Sequence, residues 1–259
     1  MNEIDDTQAP LLEHLIELRR RLLWSIAALV VAFCFCLYFA RPILAFLVAP
    51  LAVAGQVTII NTEVFGGFVV ELKVAFFAAL MIAFPVIANQ IWGFVAPGLY
   101  RKEKRALFPF LLATPILFLT GAAMAYYVAI PSALKFALSY QGSLGSVTQQ
   151  ALPDVSNYLK IIMQFLFGFG LSFLLPVLLM LLESAGIVTY EQLKGAWRYA
   201  TVGAFAIAAV LTPPDIGSQL LLAVPLCGLY FLSLVAIWFT RRRRERSAEA
   251  EGAAEGVAE

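Results

Sequence analysis

The chain has 259 residues, is 61% hydrophobic with a mean hydropathy of +0.85, and is only 14% charged. A soluble domain of this length cannot hide so much apolar surface, so the composition excludes a water-soluble globular protein and places the chain in a bilayer. The net charge of +1 says little, because the charges are segregated along the chain, and no nucleic-acid partner is expected.

Six apolar segments follow in order, at 22–40, 65–92, 107–130, 158–182, 197–211 and 219–239. Lipid offers no partner to unpaired backbone groups, and the segments lack the alternation of a membrane barrel, so all six are expected to be helices. The first is longer than the apolar core of a signal peptide and has no small-residue cleavage site behind it, so it reads as a retained span. Its leading stretch, "HLIELRRRLL", sets Arg19, Arg20 and Arg21 at the membrane edge with one carboxylate, Glu17, just before them. On a helix Glu17 reaches Arg20 and Arg21 and shares a face with Glu13. Two readings stand for it. One is a surface ion pair worth at most ~1 kcal/mol beside an anchor cluster. The other is a carboxylate that faces a cationic ligand.

The second segment carries Glu71 and Lys73 in its outer part and Gln90 near its inner end. Two residues apart, Glu71 and Lys73 point to different faces and are not expected to pair. After it comes "FVAPGLYRKEKR", where Glu103 is a lone acid among four bases and Pro97–Gly98 make a turn beside Phe94, Leu99 and Tyr100. Local neutralisation explains Glu103. So does a second carboxylate that joins Glu17 in clamping a guanidinium at a partly desolvated surface.

Prolines 85, 115, 176 and 225 predict kinks in four of the helices, and with them a bundle that is concave. The fourth segment holds Gln164; polar residues at such depth usually face the bundle interior and tie helices together. The fifth is short, about 22 Å at ~1.5 Å per residue against a core of ~30 Å, and "LTPPD" stops it. The chain is therefore read as a transmembrane domain over 1–240 and a basic-then-acidic tail over 241–259, expected to be disordered.

Counting Lys and Arg between the segments gives fourteen on the side of both termini and two on the other. Both termini are expected in the cytoplasm. Catalysis is not expected: the one histidine, His14, precedes the first span, and no nucleophile–base pair, metal-ligand motif or phosphate loop is present. Cys34, Cys36 and Cys227 all lie in apolar runs and read as packing residues, and neither metal nor cofactor is expected. A transporter with a path past Glu71, Lys73 and Gln164 is the competing class, but it wants paired charges at the midplane and an internal repeat, and neither is seen.

Four stretches, "HLIELRRRLL", "FPVIANQIWGFVAPGLYRKEKR", "LTPPD" and "SQLLLAVPLCGLYFL", taken together resemble the TatC family, the polytopic subunit of the twin-arginine protein translocase. They span nearly the whole chain. The resemblance implies an all-α bundle of six spans in the bacterial cytoplasmic (inner) membrane. It implies a receptor for signal peptides with two consecutive arginines, working with single-span TatA- and TatB-type subunits in a multi-copy complex and using the proton-motive force to export folded cargo. Under it, Glu17 and Glu103 stand where the family's signal-binding carboxylates stand, and Phe94, Pro97 and Leu99 match the neighbouring motif. Arg19, Lys73, Gln90, Pro50 and Asp215 also fall on characteristic positions. One position departs: the family has a Glu in the fourth helix two residues before its proline, and this chain has Leu174. Gln164 is the candidate for the polar role, although it lies ~80° round and ~15 Å along an ideal helix from Leu174.

Overall fold

The computed structural model describes residues 5–55, 58–61, 64–99, 108–139, 141–144, 147–149, 153–184, 186–212 and 216–255, with side chains outside the description at 5–14, 95–99, 108–111, 142–144, 147–149 and 243–255. The chain is nearly all helical and forms two compact units, 1–170 and 171–259.

In the first unit, α1 (Asp5–Tyr38) leads into α2 (Ala40–Val53), and α3 (Gly66–Leu99) follows. Next come α4 (Phe108–Met124), a π-helical turn (Ala125–Ala129) and α5 (Ile130–Leu138). A small antiparallel hairpin, β1 (Gly142–Leu144) with β2 (Val147–Gln149), precedes α6 (Val155–Ser172). The π-helical turn sits just ahead of Pro131, which has no N–H for the carbonyl four residues back; widening the turn relieves that clash.

α1 packs against α3 through a seam of small side chains. Cys36, Ala40, Ala75 and Ala79 are all buried there, with Phe33 and Ile43 against them. Small residues let backbones approach closely where lipid gives no hydrophobic drive between helices. Cys36 is thus a packing residue, as expected, while Cys34 is exposed, and all three cysteines are free. Elsewhere Phe118 of α4 stacks on Phe84 of α3 with centroids 3.7 Å apart, and a Cβ on Gly170 of α6 would overlap the Phe118 ring. Polar ties cross the apolar packing: Trp92 Nε1 donates to Thr114 Oγ1 at 2.9 Å, and the Tyr126 and Tyr158 hydroxyls donate to the carbonyls of Phe46 and Leu47 in α2. Residue 60 clips the entry to α3 onto the start of α6: Ile60 N–H donates to Pro153 O, and Val155 N–H to Ile60 O.

In the second unit are α7 (Leu175–Ser184), α8 (Tyr190–Gly195), α9 (Trp197–Leu211) and α10 (Ile216–Glu255). α6 ends at Ser172 because Pro176 cannot donate to that carbonyl, so the kink expected at Pro176 is a break between α6 and α7. α10 passes Pro225 without a break. A core of Leu193, Tyr230, Leu234 and Ile237 joins α8 to α10, and the Tyr230 hydroxyl donates to Leu193 O. Thr189 and Gln192 form a reciprocal capping box at the start of α8.

Each of the six expected segments is helical over most of its described residues. Among the described residues, five helical stretches are long and apolar enough to cross a membrane, and the segment at 197–211, α9, has 15 residues, as short as its sequence implies. The protein is a multi-pass membrane protein. The helix α10 runs to Glu255, into the stretch 241–259 that the sequence leads one to expect as disordered. That stretch is rich in Arg, Glu and Ala, which are strong helix formers.

Candidate functional site

One end of α1 and the facing part of α3 bring together the residues singled out in the first stretch. α1 has no helix breaker near its basic run, so residues four apart fall on one face, and Glu17 and Arg21 meet. Arg21 donates from Nε at 2.9 Å and from Nη2 at 2.6 Å, and both bonds end on Oε1 of Glu17. Oε2 of Glu17 accepts no bond among the described residues. Both side chains are half-buried, at 36% and 27% exposure, so this pair is better shielded than a free surface pair.

Gly93 of α3 holds the Arg21 head from the other side. A Cβ built there would overlap the guanidinium, so glycine is what allows it to lie on the α3 surface. The Arg21 carbonyl also accepts from the Ser25 hydroxyl at 3.0 Å. Around this pair Glu17, Arg20, Arg21, Trp24 and Gln90 line a cavity of about 280 Å³. It offers one carboxylate oxygen, an amide that donates and accepts, an indole face and two guanidinium groups. A carboxylate beside an indole suits a planar cation, which can take a bidentate bond and a stacking contact together.

Glu17 and Gln90, far apart in sequence, are thus brought to one cavity. Phe94 lies half-buried one residue beyond Gly93. Arg19 is exposed and lines an apolar groove along α1 with Ile16, Leu23 and Trp24. Pro97 and Leu99 lie in the last turn of α3, with their side chains outside the description, and Glu103 and Asp215 lie outside the described residues altogether. Pro50 is buried within α2, a helix not foreseen in the loop after the first span.

The intramembrane polar residues fare differently. Glu71 does not meet Lys73, as expected, but is bonded by Arg41 Nε at 2.9 Å across α2 and α3. Lys73 is exposed, although polar residues at such depth were expected to face inward. It lies two turns into α3, where a lysine stem is long enough for the ammonium to snorkel toward the helix end. Gln164 is also exposed, on the opposite face of α6 from buried Ile162, Phe165 and Phe169. Leu174 lies in the break between α6 and α7. No three His, Cys, Asp or Glu among the described residues gather as a metal site.

Sequence reasoning missed Trp24, Ser25 and Gly93 as parts of this site. Trp24 and Ser25 are three and four residues beyond Arg21 on the same helix face, a signal that was available. Gly93 had none, since its role depends on which helix packs against α3.

Residues 13–225 match the sequence model of the family described as "Sec-independent protein translocase protein (TatC)". Among curated proteins, the Sec-independent protein translocase protein TatC of Magnetococcus marinus is 43% identical over 257 residues, covering 98% of this chain and 92% of that one. The protein of the same name from Escherichia coli K12 is 40% identical over 240 residues, covering 92% and 90%. Among solved structures, a crystal structure of "Twin Arginine Translocase Receptor- TatC in DDM" superimposes with a TM-score of 0.75 at 36% identity. It covers 86% of this chain and 98% of that one.

Proposed function

Since the chain belongs to the TatC family, the core membrane subunit of the Sec-independent protein translocase, we propose that it is a receptor for twin-arginine signal peptides. In this reading Glu17, Glu103, Phe94, Pro97 and Leu99 take the peptide's arginines, together with Arg19. The observation that carries it is the half-committed carboxylate of Glu17: Arg21 fixes Oε1, and Oε2, which accepts no bond among the described residues, can meet a second guanidinium beside Trp24 and Gln90. A carboxylate held in place before the ligand arrives loses less entropy on binding.

The chain sits in the bacterial inner membrane with both termini in the cytoplasm, as the charge asymmetry favours. It works with single-span TatA- and TatB-type subunits and with further copies of itself, and folded cargo crosses under the proton-motive force. Its role is binding and assembly rather than catalysis, and no cofactor takes part.

The test is capture of a fluorescent twin-arginine signal peptide by the full-length protein in nanodiscs, against the twin-lysine peptide. Glu103→Lys is expected to weaken capture more than Glu103→Gln, since the first adds repulsion and the second only removes attraction. An acidic residue in the peptide is expected to restore part of the Glu103→Lys loss. Equal capture of both peptides, or unchanged capture by both variants, overturns the reading.

A further inference from the structure

We propose that the second unit holds an anionic phospholipid in the groove between α8, the start of α9 and α10, with Lys194 and Arg241 on the headgroup phosphate and an acyl chain along Phe231, Leu234 and Val235. The groove has a volume of about 680 Å³. Its lower part is apolar, with Leu234 buried and Phe231 and Val235 half-exposed at 46% and 53%. Its rim carries three aromatic rings, Tyr190, Trp197 and Trp238, and the ammonium-bearing Lys194.

The cations at that rim are placed in a particular way. Arg241 lies over the Tyr190 ring at 5.7 Å, Arg242 over Trp238 at 4.3 Å and Arg198 over Trp197 at 5.5 Å. The ion pairs among the described residues are Arg21–Glu17 and Arg41–Glu71, both in the first unit. Lys194 of the lining and the three arginines stacked on its rings thus outnumber the one acid of α8, Glu191, and none of them forms an ion pair among the described residues. Rings that carry a polar tip and an apolar body mark the level of the lipid headgroups. At that level the solvent screens like charges poorly, and an anion is what the cluster lacks.

The occupant must satisfy both halves. A phosphodiester offers oxygens to Lys194 and to the fork of Arg241, while its acyl chain packs along the apolar groove within the bilayer. Basic grooves between spanning helices at a membrane surface are suited to anionic headgroups. The rim is also held rigid: the Thr189–Gln192 capping box fixes the start of α8, and the Tyr230 hydroxyl holds its last turn. The backbone that carries Lys194 is thus fixed at both ends of α8.

The experiment is native mass spectrometry of the full-length protein in detergent with phosphatidylglycerol, phosphatidylcholine or glycerol phosphate added. Phosphatidylglycerol is expected to be retained, and Lys194→Gln/Arg241→Gln to lose on the order of tenfold of that retention. Arg243→Gln/Arg244→Gln, in the same basic run, is expected to keep it. Val235→Trp fills the groove without changing charge and is expected to lower retention as well. Each variant is first shown to keep its unfolding temperature without lipid; a variant that fails this is replaced by Lys194→Met alone. Equal loss in both double variants would mean diffuse attraction to the basic run and overturns the site, as does equal retention of phosphatidylcholine. Glycerol phosphate competing as well as the lipid overturns the acyl-chain half. In membranes, a photoreactive residue at position 235 is expected to crosslink to lipid; crosslinks to a protein helix instead overturn the assignment.

Discussion

Arg21 binds Glu17 through two nitrogens on one oxygen, at 2.6 and 2.9 Å, and the other oxygen of that carboxylate stays open among the described residues. The acid beside the membrane anchor is therefore neither fully neutralised nor free. Arg21 both orients it and competes with any incoming cation, which sets up two opposed mutational effects. Glu17→Gln is expected to weaken capture of a twin-arginine peptide by about tenfold, the loss of one charge-assisted bond of ~1.5 kcal/mol. Arg21→Gln is expected to tighten capture severalfold while lowering the preference for arginine over lysine, because the carboxylate gains charge but loses its fixed orientation. Anisotropy titrations with both peptides measure the two effects. A fall in capture for Arg21→Gln would assign Arg21 to the ligand side of the site.

Gly93 gives a second handle on the same pair. Gly93→Ala is expected to push the Arg21 head off α3, since the added methyl would overlap it. The moving part is the end of a flexible side chain, so the unfolding temperature is expected to stay close to that of the parent while peptide capture changes. Gly93→Leu is expected to enlarge the same change. Unaltered capture in both variants would separate the cavity from the binding surface.

Two polar contacts differ in how much stability they supply. The Trp92–Thr114 bond ties α3 to α4 with Thr114 only 1% exposed. Thr114→Val is expected to cost about 1 kcal/mol, because the indole N–H loses its acceptor in an apolar setting. The Arg41–Glu71 pair has Arg41 at 85% exposure, and Arg41→Ala is expected to cost about 0.5 kcal/mol or less. Denaturant unfolding in the same detergent, followed by tryptophan fluorescence, ranks them.

Gln164 lies exposed on α6, where a neighbouring helix from another subunit can meet it. Gln164→Leu is expected to reduce export of a folded twin-arginine reporter at matched protein levels, through loss of a contact worth ~0.6–2 kcal/mol. Leu174→Glu is expected to restore part of that export by returning a polar group to the break between α6 and α7. Normal export by Gln164→Leu sinks the idea and leaves Gln164 as an ordinary lipid-facing amide.

Much of this protein was legible before any coordinates. Apolar length fixes the spans, because lipid leaves the backbone no alternative to a helix. The fifteen-residue α9 and the break before Pro176 both follow from proline's missing N–H and rigid ring. The Glu17–Arg21 contact follows from helical spacing alone. The tertiary structure decided what depends on contacts far apart in the chain. α2 arises in a loop with no span-length signal, and its carbonyls are held by Tyr126 and Tyr158 from other helices. Glu71 found Arg41 rather than a midplane partner because α2 lays that arginine across α3. Gly93 and Gln90 joined the Glu17 site only because the small-residue seam of Cys36, Ala75 and Ala79 draws α1 onto α3. Local pattern determines which segments become helices, since their hydrogen bonds close within a few residues. Which helix faces meet is settled by side-chain shape across the whole fold, and that is where a cavity acquires its residues.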